Sequence, residues 1–251
     1  MINRLLSVIT LLVSLLSCSK PSEDLMIATA ANVQYVMQDI KAEFEKESGK
    51  KIQIIVGSSG KLTTQIREGA PYDVFVSADE KYPNEIYKNG GSDDAPKVYA
   101  TGTLVLWSKN LDSAQVNLEK LTDPEIHKIA LADPKTAPYG LAAEQAIKKL
   151  GIYGPVKPKL VFGESIAQTT QYISSGAAEV GFTALSIVLS SELKGNGFYT
   201  VIDSTLHDPI AQAAILLKHS ENSPKKAASE AFYHFLFSEK AKAIFSKYGY
   251  K

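Results

Sequence analysis

Gly57-Ser58-Ser59-Gly60-Lys61-Leu62 lies between two different periodicities. Before it, Ile52-Gln53-Ile54-Ile55-Val56 is apolar enough for a buried strand. After it, Leu62 and Ile66 fall four apart, the spacing of one helix face. The two serines therefore occupy a strand-to-helix turn. Glycines let the backbone approach a ligand closely. The helix start presents amides with no partner in their own helix, together with the positive end of its dipole. Serine hydroxyls add further donors. Such a turn suits an anion, although taken alone it is also what a simply capped helix looks like. A phosphate-binding P-loop is excluded, because Ile55 stands where its first glycine belongs and Leu62 where Ser or Thr must come after the lysine. A nucleophile elbow starting at Gly57 is excluded too, since it requires glycine where Lys61 stands.

Outward from this turn the chain alternates. Leu25-Met26-Ile27-Ala28 reads as a strand, and Val33, Val36, Met37, Ile40 and Phe44 keep helical spacing up to a C-capping Gly49. The helix after the serine turn runs to about Glu68, where Gly69-Ala70-Pro71 breaks it. Val74-Phe75-Val76 is a further buried strand, and Asp79 can cap the segment after it. This βαβαβ order is the signature of a mostly parallel sheet. A second set begins at Thr103 to Trp107. It continues through strands at Lys128 to Ala132, Leu160 to Phe162, Val180 to Phe182 and Phe198 to Ile202, with helices at Leu141 to Leu150 and Ile166 to Ser175. Ala213 to Leu217 is another strand, and helical segments from Pro224 and from Glu239 close the chain. Two α/β units predict two lobes, with crossings at Tyr99-Ala100-Thr101-Gly102 and His207-Asp208-Pro209-Ile210. A cleft between two lobes binds small ligands, and closure about a hinge buries them.

The charge balance, 27 Lys plus Arg against 27 Asp plus Glu, argues against a nucleic-acid surface. The first residues differ from the rest. Arg4 precedes an apolar run, Leu5 to Ser17, too short for a membrane span of about 20 residues and of the length of a secretory h-region. It ends Leu15-Leu16-Ser17-Cys18, and Cys18 is the only cysteine in the chain. The run resembles a bacterial lipoprotein signal, with Leu16 larger than the residue usually found there. Residues 1–17 are read as signal peptide, Cys18 as the lipidation site and 18–24 as a tether.

Three stretches then stand in order: Ala28-Thr29-Ala30-Ala31-Asn32, Gly57-Ser58-Ser59-Gly60, and Gly69-Ala70-Pro71-Tyr72-Asp73-Val74-Phe75-Val76-Ser77-Ala78-Asp79. With Asp133-Pro134, Pro138-Tyr139-Gly140, Val180-Gly181-Phe182 and the ending Ala243 to Gly249, they resemble the molybdate-binding proteins of bacterial ABC transporters. The resemblance spans about Leu25 to Gly249 and is most specific from Gly69 to Asp79. It implies an α/β fold, the type II two-lobed periplasmic binding protein, each lobe a mostly parallel sheet flanked by helices with the ligand cleft between. Residues 25–101 and 209–251 would form lobe 1, and 102–208 lobe 2.

The same resemblance implies a tetrahedral oxyanion, molybdate or tungstate, held by backbone amides and hydroxyls. Asn32 and Ser59 match contacts of the first lobe; Tyr139 and Ile166 match backbone donors of the second. Ala31 neighbours the first contact. Ala184 matches a position where some relatives place a tyrosine hydroxyl, absent here. Two roles stand open for Tyr139: its hydroxyl replaces that donor, or only its backbone amide contributes. The implied partners are the permease and ATPase of an ABC transporter and a membrane through the lipid, with no cofactor and no nucleic acid. The protein is expected to be a monomer at the periplasm or cell surface. Sulfate or another tetrahedral oxyanion is the alternative ligand. A serine hydrolase is the competing class, but no motif links Ser59 to a histidine. His127, His207, His219 and His234 lack metal-ligand spacing. Lys61 and Arg67 are read as solvated helix charges, and Tyr248 and Tyr250 as packing residues at the terminus.

Overall fold

The computed structural model describes residues 24–221 and 223–251; the signal segment, Cys18 and the tether as far as residue 23 lie outside them. Ten strands form two five-stranded sheets. The first half of the chain gives β1 (Leu25–Ala30), α1 (Gln34–Ser48), β2 (Ile52–Gly57), α2 (Ser59–Arg67), β3 (Val74–Val76), α3 (Lys81–Lys88) and β4 (Lys97–Gly102). The second sheet takes β5 (Leu104–Ser108), β6 (Ile129–Ala132), β7 (Leu160–Gly163), β8 (Val180–Ala184) and β9 (Phe198–Val201), with α4 (Pro138–Lys149) and α5 (Ile166–Ser174) between them. The chain then returns to the first sheet as β10 (Ile210–Leu216) and ends in α6 (Lys226–Phe235) and α7 (Glu239–Lys247).

The sheets share one plan. Their orders are β2-β1-β3-β10-β4 and β7-β6-β8-β5-β9. In the first, β1 pairs in parallel with β2 and β3, and β10 runs antiparallel to β3 and β4. In the second, β6 pairs in parallel with β7 and β8, and β5 runs antiparallel to β8 and β9. Only β10 and β5 are reversed. Each is a strand on which the chain enters a sheet from the other one, so its direction is set by the crossing and not by a local helix connection. Buried on both faces, these strands read as apolar runs and not as alternation; β3, β5, β6 and β8 are buried along their whole length.

The passage from the first sheet to the second falls at Thr103, directly after the stretch Tyr99–Gly102 read as a crossing. Those residues end β4, with Gly102 opposite Ile210 of β10. Between β4 and β5 only Thr103 intervenes. β4 is an edge strand with a mostly exposed start, so it carries too few apolar side chains to announce itself. Gly49 does close α1 as a left-handed cap, with φ 66°.

The core has one apolar cluster on each face of each sheet. On one face of the first sheet α1 lays Val36, Met37, Ile40 and Phe44 against the C-terminal helices. Phe44 meets Phe232 edge-on at 5.2 Å and Phe235 at 5.6 Å. The chain end is tied down as well: the Thr101 amide donates to the Lys251 carbonyl at 2.7 Å and the Lys251 amide returns a bond to Thr101. No helix among the described residues is long and apolar enough to cross a membrane.

Because Phe232 is fully buried at this junction, Phe232→Ala should cost about 3–5 kcal/mol of unfolding free energy. Urea denaturation reads this as a lower midpoint, and a loss below about 1 kcal/mol would show that α6 does not rely on this contact.

Candidate ligand-binding site

Four helix starts converge where the two sheets face each other. Ala31-Asn32-Val33 makes a single 3-10 turn after β1, and Ser59 opens α2 after β2. Pro138-Tyr139 opens α4 after β6, and Ile166 opens α5 after β7. Each comes after the carboxyl end of a parallel strand, the place where open α/β sheets bind ligands. First-turn amides have no acceptor within their own helix. Asn32, Ser59, Tyr139 and Ile166, together with Ala31, line one small cavity. All four are at most 4% exposed, so the site is buried. None of the residues lining it carries a charged side chain.

Two residues of the expected site stand apart in this arrangement. Ala184 does not line the cavity. It ends β8 in register with Leu104 and is fully buried. The Tyr139 hydroxyl has its partner outside the cavity lining. It accepts a hydrogen bond from Gln212 Nε2 at 3.0 Å, and it lies so close to Gly102 that a Cβ there would collide with it. The hydroxyl is thereby engaged at the crossing between the sheets, while Tyr139 also lines the cavity.

That crossing holds a buried polar network. Gln212 Oε1 accepts from Asn32 Nδ2 at 2.8 Å and from the Tyr99 hydroxyl at 2.8 Å. Asn32 Nδ2 also donates to the Tyr250 hydroxyl at 2.9 Å, which donates to Ser186 Oγ at 3.0 Å. Ser186 Oγ closes the circuit by donating to the Asn32 carbonyl at 2.7 Å. Both side-chain hydrogens of Asn32 are thus committed to the crossing, and its Oδ1 has no partner among the described residues. Burial pushes the Tyr99 and Tyr139 hydroxyls well above the usual phenol range and Tyr250 to about 12. All three stay protonated at neutral pH and bring no negative charge near the cavity.

Three further contacts join the lobes around the cavity. The Gly60 amide donates to the Thr136 carbonyl at 2.9 Å, and the Tyr82 hydroxyl donates to the Lys135 carbonyl at 2.9 Å. A Cβ on Gly60 would stand 2.9 Å from Thr136 Cα, so glycine is what permits this approach. Lys61 pairs with Glu164 at 2.9 Å across the mouth. Both are more than half exposed, which limits the pair to about 0–1 kcal/mol. Lys61 is therefore a bridge between the lobes and not only a solvated charge, whereas Arg67 pairs with Glu85 within the first lobe.

Sequence reasoning missed Ser58, Gln212 and the inward side of Tyr250. Ser58 stands in the serine turn, but which of two adjacent serines faces inward depends on where the helix begins. Gln212 sits in an apolar strand, Ile210-Ala211-Gln212-Ala213-Ala214, where an uncharged polar residue at a fully buried position signals a partner. Ser59 Oγ accepts from the Ala78 amide at 3.0 Å, and no histidine lines the cavity. Among the described residues no group of three or more His, Cys, Asp or Glu could hold a metal ion.

Gln212→Leu removes the donor to the buried Tyr139 hydroxyl, and a buried polar group left without its partner costs about 1–3 kcal/mol. Thermal or urea unfolding should show a loss of that size. Parent-like stability would mean that the network is replaced easily by other contacts.

The family model for the bacterial extracellular solute-binding proteins matches residues 25–251. The molybdate-binding protein ModA of Azotobacter vinelandii is 37% identical over 97% of this chain and 96% of its own length. ModA of Rhodobacter capsulatus is 39% identical over 90% of this chain and 88% of its own. The solved periplasmic molybdate-binding protein of Azotobacter vinelandii superimposes with a TM-score of 0.84 at 33% identity, covering 91% of this chain and 99% of that one. The two-lobed α/β architecture and these matches place the chain with binding proteins for transport and not with enzymes. The chain belongs to the bacterial extracellular solute-binding protein family, in the company of the molybdate-binding proteins.

Proposed function

We propose that the protein captures molybdate, and tungstate with it, in the periplasm or at the cell surface and delivers it to the permease and ATPase of an ABC transporter. The observation that carries this reading is the buried, uncharged cavity onto which four helix starts from both lobes converge. A buried ion costs several kcal/mol in lost hydration unless it is hydrogen-bonded. Hydrogen bonds to a charged group contribute about 1.5–3 kcal/mol each. The first-turn amides of Asn32, Ser59, Tyr139 and Ile166, with the Ser59 hydroxyl, supply such donors without a counter-ion, and Ala31 adds its amide from the adjoining position. Neutral donors strand no buried charge when the ligand leaves. They also distinguish oxyanions by distance, because a sulfate is smaller than a molybdate and leaves the same donors farther away. The ModA relatives, matched over nearly their whole length, are named for molybdate.

Delivery needs the lobes to separate. The proposed lobe boundaries, 25–101 with 209–251 against 102–208, put the bending at Gly102-Thr103 and at 202–209, next to the Gln212 network. Closing the lobes forms the bonds from Gly60 to Thr136 and from Tyr82 to Lys135. The protein is proposed to work as a monomer, with the first 17 residues removed and lipid on Cys18 holding it to a membrane. One acyl chain binds a membrane only marginally, so stable attachment requires more than one.

Titration calorimetry with molybdate, tungstate, sulfate and phosphate tests the ligand. Molybdate and tungstate should bind with similar affinity and sulfate and phosphate far more weakly. Equal heats and affinities for sulfate and molybdate would replace the proposal with a general oxyanion binder. The anchor is tested by fractionation: Cys18→Ala should move the protein from the membrane pellet to the soluble fraction, and a variant that still pellets would remove lipidation at Cys18.

A further inference from the structure

We infer that Ser58, and not Ser59 alone, supplies a hydroxyl donor to the bound oxyanion; this rests on the oxyanion reading above. Ser58 is the N-cap of the nine-residue α2, with the extended backbone of a cap residue, φ −72° and ψ 149°. A serine there ordinarily accepts a hydrogen bond from the second or third amide of the helix, here Gly60 or Lys61. It makes no such bond. The Gly60 amide is taken by the Thr136 carbonyl of the other lobe. The Lys61 amide is the other candidate, and it makes no bond to the Ser58 hydroxyl either.

Ser58 is only 4% exposed, and its Oγ has no hydrogen-bond partner among the described residues. Buried hydroxyls are nearly always paired, so an unpaired one calls for a partner. Ser58 lines the cavity beside Ser59. It also borders a second, larger space, walled by Val56, Lys61, Gln65 and Glu164. Its position between the two lets the hydroxyl donate inward to the anion. The other serine is differently placed: Ser59 Oγ already accepts from the Ala78 amide, which fixes its oxygen and leaves its hydrogen to point at a ligand. Two adjacent hydroxyls, one anchored and one unpaired, then face the same anion from one turn.

The test separates a donor from a cap. Ser58→Ala removes both properties, whereas Ser58→Gly removes the hydroxyl and keeps an N-cap within a few tenths of a kcal/mol of serine. Parent, both variants and Ser59→Ala are titrated with molybdate by calorimetry, and the ligand-free melting temperature of each is measured. Both Ser58 variants should lose about ten- to a hundredfold in affinity, the effect of one hydrogen bond to a charged group, and to the same extent. Ser58→Gly should melt with the parent in the absence of ligand. If either Ser58 variant binds molybdate within twofold of the parent, the hydroxyl serves the second space or nothing, and the inference fails. A loss seen with Ala but absent with Gly would assign Ser58 to capping and overturn it as well. A parent that binds none of the tetrahedral oxyanions would overturn the proposed function itself, a result distinct from binding by the parent with no effect at Ser58.

Discussion

The Gln212 side chain ties the two lobes to each other and to the chain terminus. One amide group holds Asn32 and Tyr99 through its oxygen and Tyr139 through its nitrogen. Asn32 and Tyr139 each sit in a helix start that lines the cavity, so the geometry of both cavity walls passes through one buried residue. In a low-dielectric interior, hydrogen bonds strengthen and unpaired groups become costly. The network is therefore favourable only when all its members meet, and they come from both lobes and from Tyr250 next to the last residue. The closed arrangement is the one in which those partners are together.

The same logic governs the cavity. The chain brings helix starts, hydroxyls and small side chains to the carboxyl ends of β1, β2, β6 and β7, and keeps its charges outside. The one ion pair described at the cleft, Lys61 with Glu164, is exposed and weak, so it does not decide closure. Closure rests instead on close backbone approach, which Gly60 allows by having no Cβ where Thr136 passes. This approach also commits the Gly60 amide to the Thr136 carbonyl. A hydrogen bond between lobes and an unpaired hydroxyl in the cavity wall thus stand side by side in one turn.

Local rules of the amino-acid sequence are enough for the two α/β units, nearly all the strands, and the helix starts at Ser59, Tyr139 and Ile166. Those rules are apolar runs for strands buried on both faces, four-residue spacing for helices, and small or capping residues at the turns. The family resemblance, and not those rules, points to Asn32, Ser59, Tyr139 and Ile166, which the fold gathers around one cavity although 134 positions of chain separate Asn32 from Ile166. What each of them does there is settled by packing between distant elements. Whether the Tyr139 hydroxyl faces the cavity or Gln212 depends on side-chain direction, which spacing does not encode. β4 is hidden in the sequence because an edge strand needs few apolar side chains. Gln212 and Tyr250 lie 180 and 218 positions from Asn32, and only the folded sheet brings their polar groups within hydrogen-bonding distance. Ser58 is conspicuous in the serine turn, but that its hydroxyl is unpaired, and that the Gly60 amide beside it bonds Thr136 in the other lobe, are facts of the tertiary structure. The bond that an amide makes to a distant segment is not written in the local sequence.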